Sequence, residues 1–67
     1  MDQARFSVCR FFPDDSYEFV RRFVNIDEAV EAFSSCVGGC TRVVVTDSNN
    51  RVNLEWTFGA GIRRAGV

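Results

Sequence analysis

The 67-residue sequence contains no histidine and no lysine, and only one proline, one tryptophan and one tyrosine. Without histidine there is no side chain that ordinarily titrates near neutral pH, and no Ser–His or Cys–His nucleophile pair can be assembled. A structural zinc takes four Cys or His ligands, which the three cysteines Cys9, Cys36 and Cys40 cannot complete within one chain. An odd number of cysteines cannot close a disulfide framework and points to a reducing compartment. No stretch approaches the ~18 apolar residues of a membrane span. The opening residues also lack the charged-then-apolar order of a secretion signal. The expectation is a cytoplasmic, non-enzymatic chain that needs no cofactor, no metal and no membrane.

What the sequence does contain is enough for one domain, spanning 1–67: it is 46% hydrophobic, 13% aromatic and 25% charged, with a formal net charge of −1. That is too apolar, and too weakly charged, for a disordered chain. A domain of this size buries only ~60% of the surface its unfolded form exposes, so its stability is marginal unless something is added. Disulfides and metal being excluded, association remains, and a homodimer or a protein partner is expected. All eight basic residues are arginine. Codon bias explains such a preference. The functional reading is a planar fork for carboxylate or phosphate that also stacks on rings. A pI of about 5.2 argues against non-specific nucleic-acid binding.

Residues 4–24 read as strand–turn–strand. Arg5–Phe12 and Tyr17–Val24 are rich in aromatic and β-branched residues, and Pro13-Asp14-Asp15-Ser16 between them is a turn cluster of about four residues. Residues 41–58 repeat the pattern. Arg42-Val43-Val44-Val45-Thr46 is β-branched, and Val52, Leu54, Trp56 and Phe58 alternate with Arg51, Asn53, Glu55 and Thr57. A two-residue turn at Asn49-Asn50 would pair Ser48 with Arg51, Val45 with Leu54 and Val43 with Trp56. Val43, Val45, Val52, Leu54, Trp56 and Phe58 then share one face. Between the hairpins, Asn25 is an N-cap with Glu28 as its capping-box partner. Ile26, Ala29, Val30, Phe33 and Val37 form an apolar stripe. Gly38-Gly39 supplies the C-cap. The spacing predicts a helix from Ile26 to about Cys36, lying on the apolar face of the second hairpin.

The fold expected is α+β, a two-layer ββαββ sandwich with one helix packed on an antiparallel sheet. Gly59-Ala60-Gly61 is read as a flexible exit into a basic tail over about 60–67. One helix covers one face. In the first hairpin a four-residue loop puts Phe6, Val8, Arg10, Phe12, Tyr17, Phe19, Arg21 and Phe23 together, with Ser7, Cys9, Phe11, Glu18, Val20, Arg22 and Val24 opposite. Either way large apolar groups stay outside beside arginines, the residue types enriched at interface cores. A curled sheet or a covering tail would explain the same residues without a partner. The residues expected to carry an interface are Phe11, Tyr17, Phe19, Arg21 and Phe23.

Two other readings belong to different classes. Rings and arginines on a sheet can stack bases, which would make Arg10, Arg21 and Arg22 the phosphate contacts of a nucleic-acid-associated regulator. Cys36 and Cys40 flank the end of the helix and could act as a thiol-dependent sensor, bridging two subunits through a disulfide or a metal. Their spacing is not C-x-x-C, and buried thiols are the simpler account. Asp14, Asp15, Asp27, Glu28 and Glu31 sit where turns and helix starts need carboxylates, which leaves them no acid–base role.

Four stretches together carry a resemblance: Phe11-Phe12-Pro13-Asp14-Asp15-Ser16-Tyr17-Glu18, Phe23-Val24-Asn25-Ile26-Asp27-Glu28-Ala29-Val30, Arg42-Val43-Val44-Val45-Thr46-Asp47 and Glu55-Trp56-Thr57-Phe58-Gly59. From about Arg5 to Gly61 the chain resembles small uncharacterised bacterial proteins built as hairpin–helix–hairpin. Asn49-Asn50 stands where such chains often carry Asp-Gly or Gly-Gly. The resemblance implies the fold and brings no assigned activity.

Overall fold

In the computed structural model the described residues are 5–64. The elements run β1 (Phe6–Phe11), β2 (Tyr17–Phe23), α1 (Ile26–Cys36), β3 (Arg42–Asp47), β4 (Val52–Thr57) and β5 (Gly61–Arg64). The strands form one antiparallel sheet in the order β2-β1-β3-β4-β5. The two hairpins meet through β1 and β3. Phe11 locks that seam, its carbonyl accepting from both the Thr41 amide (2.9 Å) and the Thr41 hydroxyl (3.0 Å).

Both hairpins close with the same three-residue turn. In the first, the Asp15 amide donates to the Phe12 carbonyl (3.1 Å), Phe12 N–H donates to the Ser16 carbonyl (2.9 Å), and Asp15 is left-handed at φ 68°. In the second, the Asn50 amide donates to the Asp47 carbonyl (3.0 Å), Asp47 N–H to the Arg51 carbonyl (2.9 Å), and Asn50 has φ 64°. A turn closed by a left-handed third residue suits Asp and Asn, whose short polar side chains tolerate that region. Neither the four-residue nor the two-residue loop expected from sequence forms.

Each ladder then corrects itself by one residue. Next to the first turn Phe11 faces Tyr17 and Cys9 faces Phe19, but Val8 faces Arg21, leaving Val20 as the extra residue. In the second, Thr46 faces Val52 while Val45 faces Leu54, leaving Asn53 extra. The pairs Val45–Leu54 and Val43–Trp56 are those the alternation predicted. Val52 is displaced from the predicted set, since it shares a face with Thr46. Bulges of this kind bend a strand and re-aim its side chains.

The helix spans the predicted residues. Asn25 caps it, Oδ1 accepting from the Asp27 amide (2.8 Å). Its buried face is Ala29, Phe33 and Cys36, rotated from the predicted stripe, with Ile26 and Val30 left 39% and 38% exposed. The rotation follows from position: α1 lies over β1, β2 and β3, and its backbone stays clear of β4 and β5. The expectation that it would lie on the second hairpin is therefore corrected. Val8, Val43 and Val45 meet Phe33 in the core, with Phe6, Phe12, Val20, Phe23, Leu54 and Trp56 packed around them.

The segment read as a flexible exit is a third hairpin turn and a fifth strand. The Ala60 amide donates to the Thr57 carbonyl (3.0 Å), Gly59 and Gly61 both take positive φ, and Ile62 pairs with Trp56. Positive φ at both positions is what glycine supplies without strain. The last three residues of the expected tail lie outside the described residues.

Candidate functional site

The Val20 bulge divides the residues proposed for an interface. Phe11, Tyr17 and Phe19 lie on the face away from the helix, with Phe11 and Tyr17 rings 5.8 Å apart. Phe23 instead packs against the core, and Arg21 lines a groove of about 410 Å³ between β2 and α1 with Glu28 and Glu31. No single surface holds all five.

The arginines of the nucleic-acid reading are dispersed too. Arg10 is paired with Glu18, whose carboxylate holds the guanidinium charged and raises its pKa. Arg21 is in the helix-side groove, and Arg22 is on the open face. Each also leans on a ring: Arg10 on Phe12 (5.7 Å), Arg21 on Phe23 (5.6 Å) and Arg22 on Phe19 (5.6 Å). Arg42 does the same over Phe11 (5.2 Å) while bridging to Glu55. Such stacking lets an exposed ring sit under an alkyl stem and a delocalised charge, which accounts for much of the arginine without any ligand.

The thiols are sheltered to different degrees. Cys36 and Cys40 are both 9% exposed, and the Cys40 thiol sits 3.5 Å from the carbonyls of Cys36 and Arg42. Cys9, on the open face, is half-buried, and burial raises its pKa, so the thiol form prevails at neutral pH. Among the described residues no cluster of three His, Cys, Asp or Glu side chains could hold a metal. Among the described residues, too, no helix is long and apolar enough to cross a membrane.

A further uncovered apolar region lies where the sequence pattern does not point. Because Ala32, Ser35, Glu28 and Glu31 line the groove toward β2, the flank carrying Ile26, Val30 and Val37 turns toward β4. On that side of the sheet Trp56 and Ile62 are paired, as are Leu54 and Arg64. Ile62 is 63% exposed, and Phe58 is 74% exposed with its ring edge-on to Trp56 at 6.4 Å. The signal in the sequence was the alternation of β4; what hid its meaning was the expectation that α1 would cover it. Phe58, assigned to the covered face, is in fact the most exposed large hydrophobic residue described.

Charge divides along the same line. Every charged residue of α1 is acidic (Asp27, Glu28 and Glu31), and both charged residues of β5 are arginine (Arg63 and Arg64). No family model matches the chain, and comparison with curated proteins and with solved structures finds no match either.

Proposed function

We propose that this chain is a non-enzymatic binding module, a two-layer sandwich completed by a second copy of itself. The observation that supports it is the strip over β4 and β5, which α1 does not reach: Ile62 and Phe58 lie exposed there beside half-buried Leu54 and Trp56. Two strands are ~10 Å wide, and a helix-covered sheet rises by a layer of ~10 Å, the spacing at which two sheets also pack face to face. Two copies related by a two-fold axis fit strip on strip. Each α1 then flanks the partner's β5 edge, and Ile26 and Val30 meet apolar surface. An isologous contact of this kind satisfies both subunits at once.

The same reading puts the chain in the cytoplasm, among the small bacterial hairpin–helix–hairpin proteins its sequence resembles, acting by protein contact rather than by chemistry. Light scattering at micromolar concentration tests it. A dimer is expected, and Ile62→Glu with Phe58→Ser should give a folded monomer. A dimer that survives those changes but is lost with Tyr17→Ser and Phe19→Ser would move the interface to the open face. A wild-type monomer throughout would overturn the proposal.

A further inference from the structure

The face opposite the helix carries a second feature, independent of the strip. At the end of the sheet near the second turn, Arg22, Ser7 and Thr46 stand side by side across β2, β1 and β3. They line a cavity of about 320 Å³ together with Arg5, Ser48 and Asn50. The Arg5 main chain is anchored beside it, its amide donating to the Phe23 carbonyl (2.9 Å). Arg22 is held over the Phe19 ring.

Three properties make this a place for an anion. Among the described residues neither arginine has a carboxylate within 4 Å; the ion pairs belong to Arg10 and Arg42. Among the described residues the Ser7 and Thr46 hydroxyls have no hydrogen-bond partner, so their donors are available, while those of Ser34, Ser35 and Thr41 are spent on backbone carbonyls. The acidic residue in the lining, Asp47, is partnered with Phe6 and so alternates to the other face from Ser7 and Thr46. Its Oδ1 already accepts from the amides of Asn49 (2.9 Å) and Arg51 (3.0 Å). The next carboxylate on the open face, Glu55, is engaged by Arg42. In a chain of net charge −1, this corner holds two arginines and two hydroxyls without a side-chain partner among the described residues.

We propose that this cavity binds a phosphate monoester dianion. Two guanidinium forks neutralise it and the hydroxyls of Ser7, Thr46 and Ser48 donate to its oxygens; charge-assisted bonds of this type are the strong ones. The rest of the ligand extends over the open face.

Amide chemical shifts followed during titration with inorganic phosphate test this, with sodium chloride at matched ionic strength as control. Phosphate at millimolar concentration is expected to move Ser7, Arg22, Thr46 and Ser48, and chloride is not. AMP binding more tightly than phosphate would assign a nucleotide as the source of the group; equal affinity would assign the phosphate alone. Arg22→Gln should weaken binding about tenfold or more, as expected for one lost charge-assisted bond, and Arg51→Gln should leave it unchanged. Absence of shifts with phosphate, the same shifts with chloride, or undiminished binding by Arg22→Gln would each overturn the site.

Discussion

Asp15 and Asn50 occupy equivalent places in the two hairpins, each the third residue of its turn and each left-handed, at φ 68° and 64°. Two segments without sequence identity have converged on one device because both need a residue that accepts this conformation beside a twisted pair of strands.

Glycine takes the left-handed region without cost, so Asn50→Gly should stabilise the fold by up to ~0.5 kcal/mol, whereas Asn50→Val should destabilise it by ~1–2 kcal/mol. Urea titration of the three chains measures both. Equal destabilisation by the two would mean that the Asn50 side chain, not its backbone, matters.

Deleting Val20 should leave the first hairpin paired as it is, since Cys9–Phe19 and Val8–Arg21 become adjacent rungs of a regular ladder. The loss is the half-buried valine side chain, about 1.5 kcal/mol or somewhat less. Cross-strand contacts between Cys9 and Phe19 in NMR spectra check it. A deletion that carried Phe19 to the helix side would contradict the register.

Acid should weaken the second turn. The Asp47 carboxylate is held below its usual pKa chiefly by the Arg51 amide, with Asn53 and the Asn49 amide assisting. A folded-state pKa below the unfolded value means the stabilisation is full above the ordinary aspartate range and is lost as pH falls through the folded value. Asp14, held down by the Ser16 hydroxyl and amide, acts in the same direction. Asp47→Asn should flatten the fall in stability below about pH 4. Melting temperatures of both chains across that range would show it, and parallel curves would refute it.

Thiol chemistry should be slow. Cys36 and Cys40 are expected to react with a thiol reagent only on unfolding, and half-buried Cys9 sluggishly at neutral pH because its burial favours the protonated form. Melting curves with and without reductant should coincide. A shift between them would revive the sensor reading.

The sequence was most legible where local chemistry and alternation agree. Asn25 marks the start of the helix; its end falls at Val37, extended, rather than on the glycines, of which only Gly38 is left-handed. Val43, Val45, Leu54 and Trp56 revealed their pairing because a one-residue slip would turn every apolar side chain outward. That pairing came out correct from a wrong turn, since the Asn53 bulge compensates for the extra loop residue. A bulge leaves no such mark in composition, and so the faces of Tyr17, Phe19, Arg21 and Phe23 could not be assigned. β5 escaped notice for a different reason: four residues between glycines are too few to show a period. The strip over β4 and β5 depended on where α1 sits, which the helix's own pattern does not state.

The seam between β1 and β3 has a kinetic consequence. Every other ladder joins strands that follow one another along the chain, and only this one brings together segments some thirty residues or more apart, such as Phe11 and Arg42. Each hairpin and the helix can form on its own locality, so the slow event in folding is a single loop closure, and its entropy falls due once. Substitutions at Thr41 should therefore change the rate of folding more than the rate of unfolding, while those in the β4–β5 turn do the reverse.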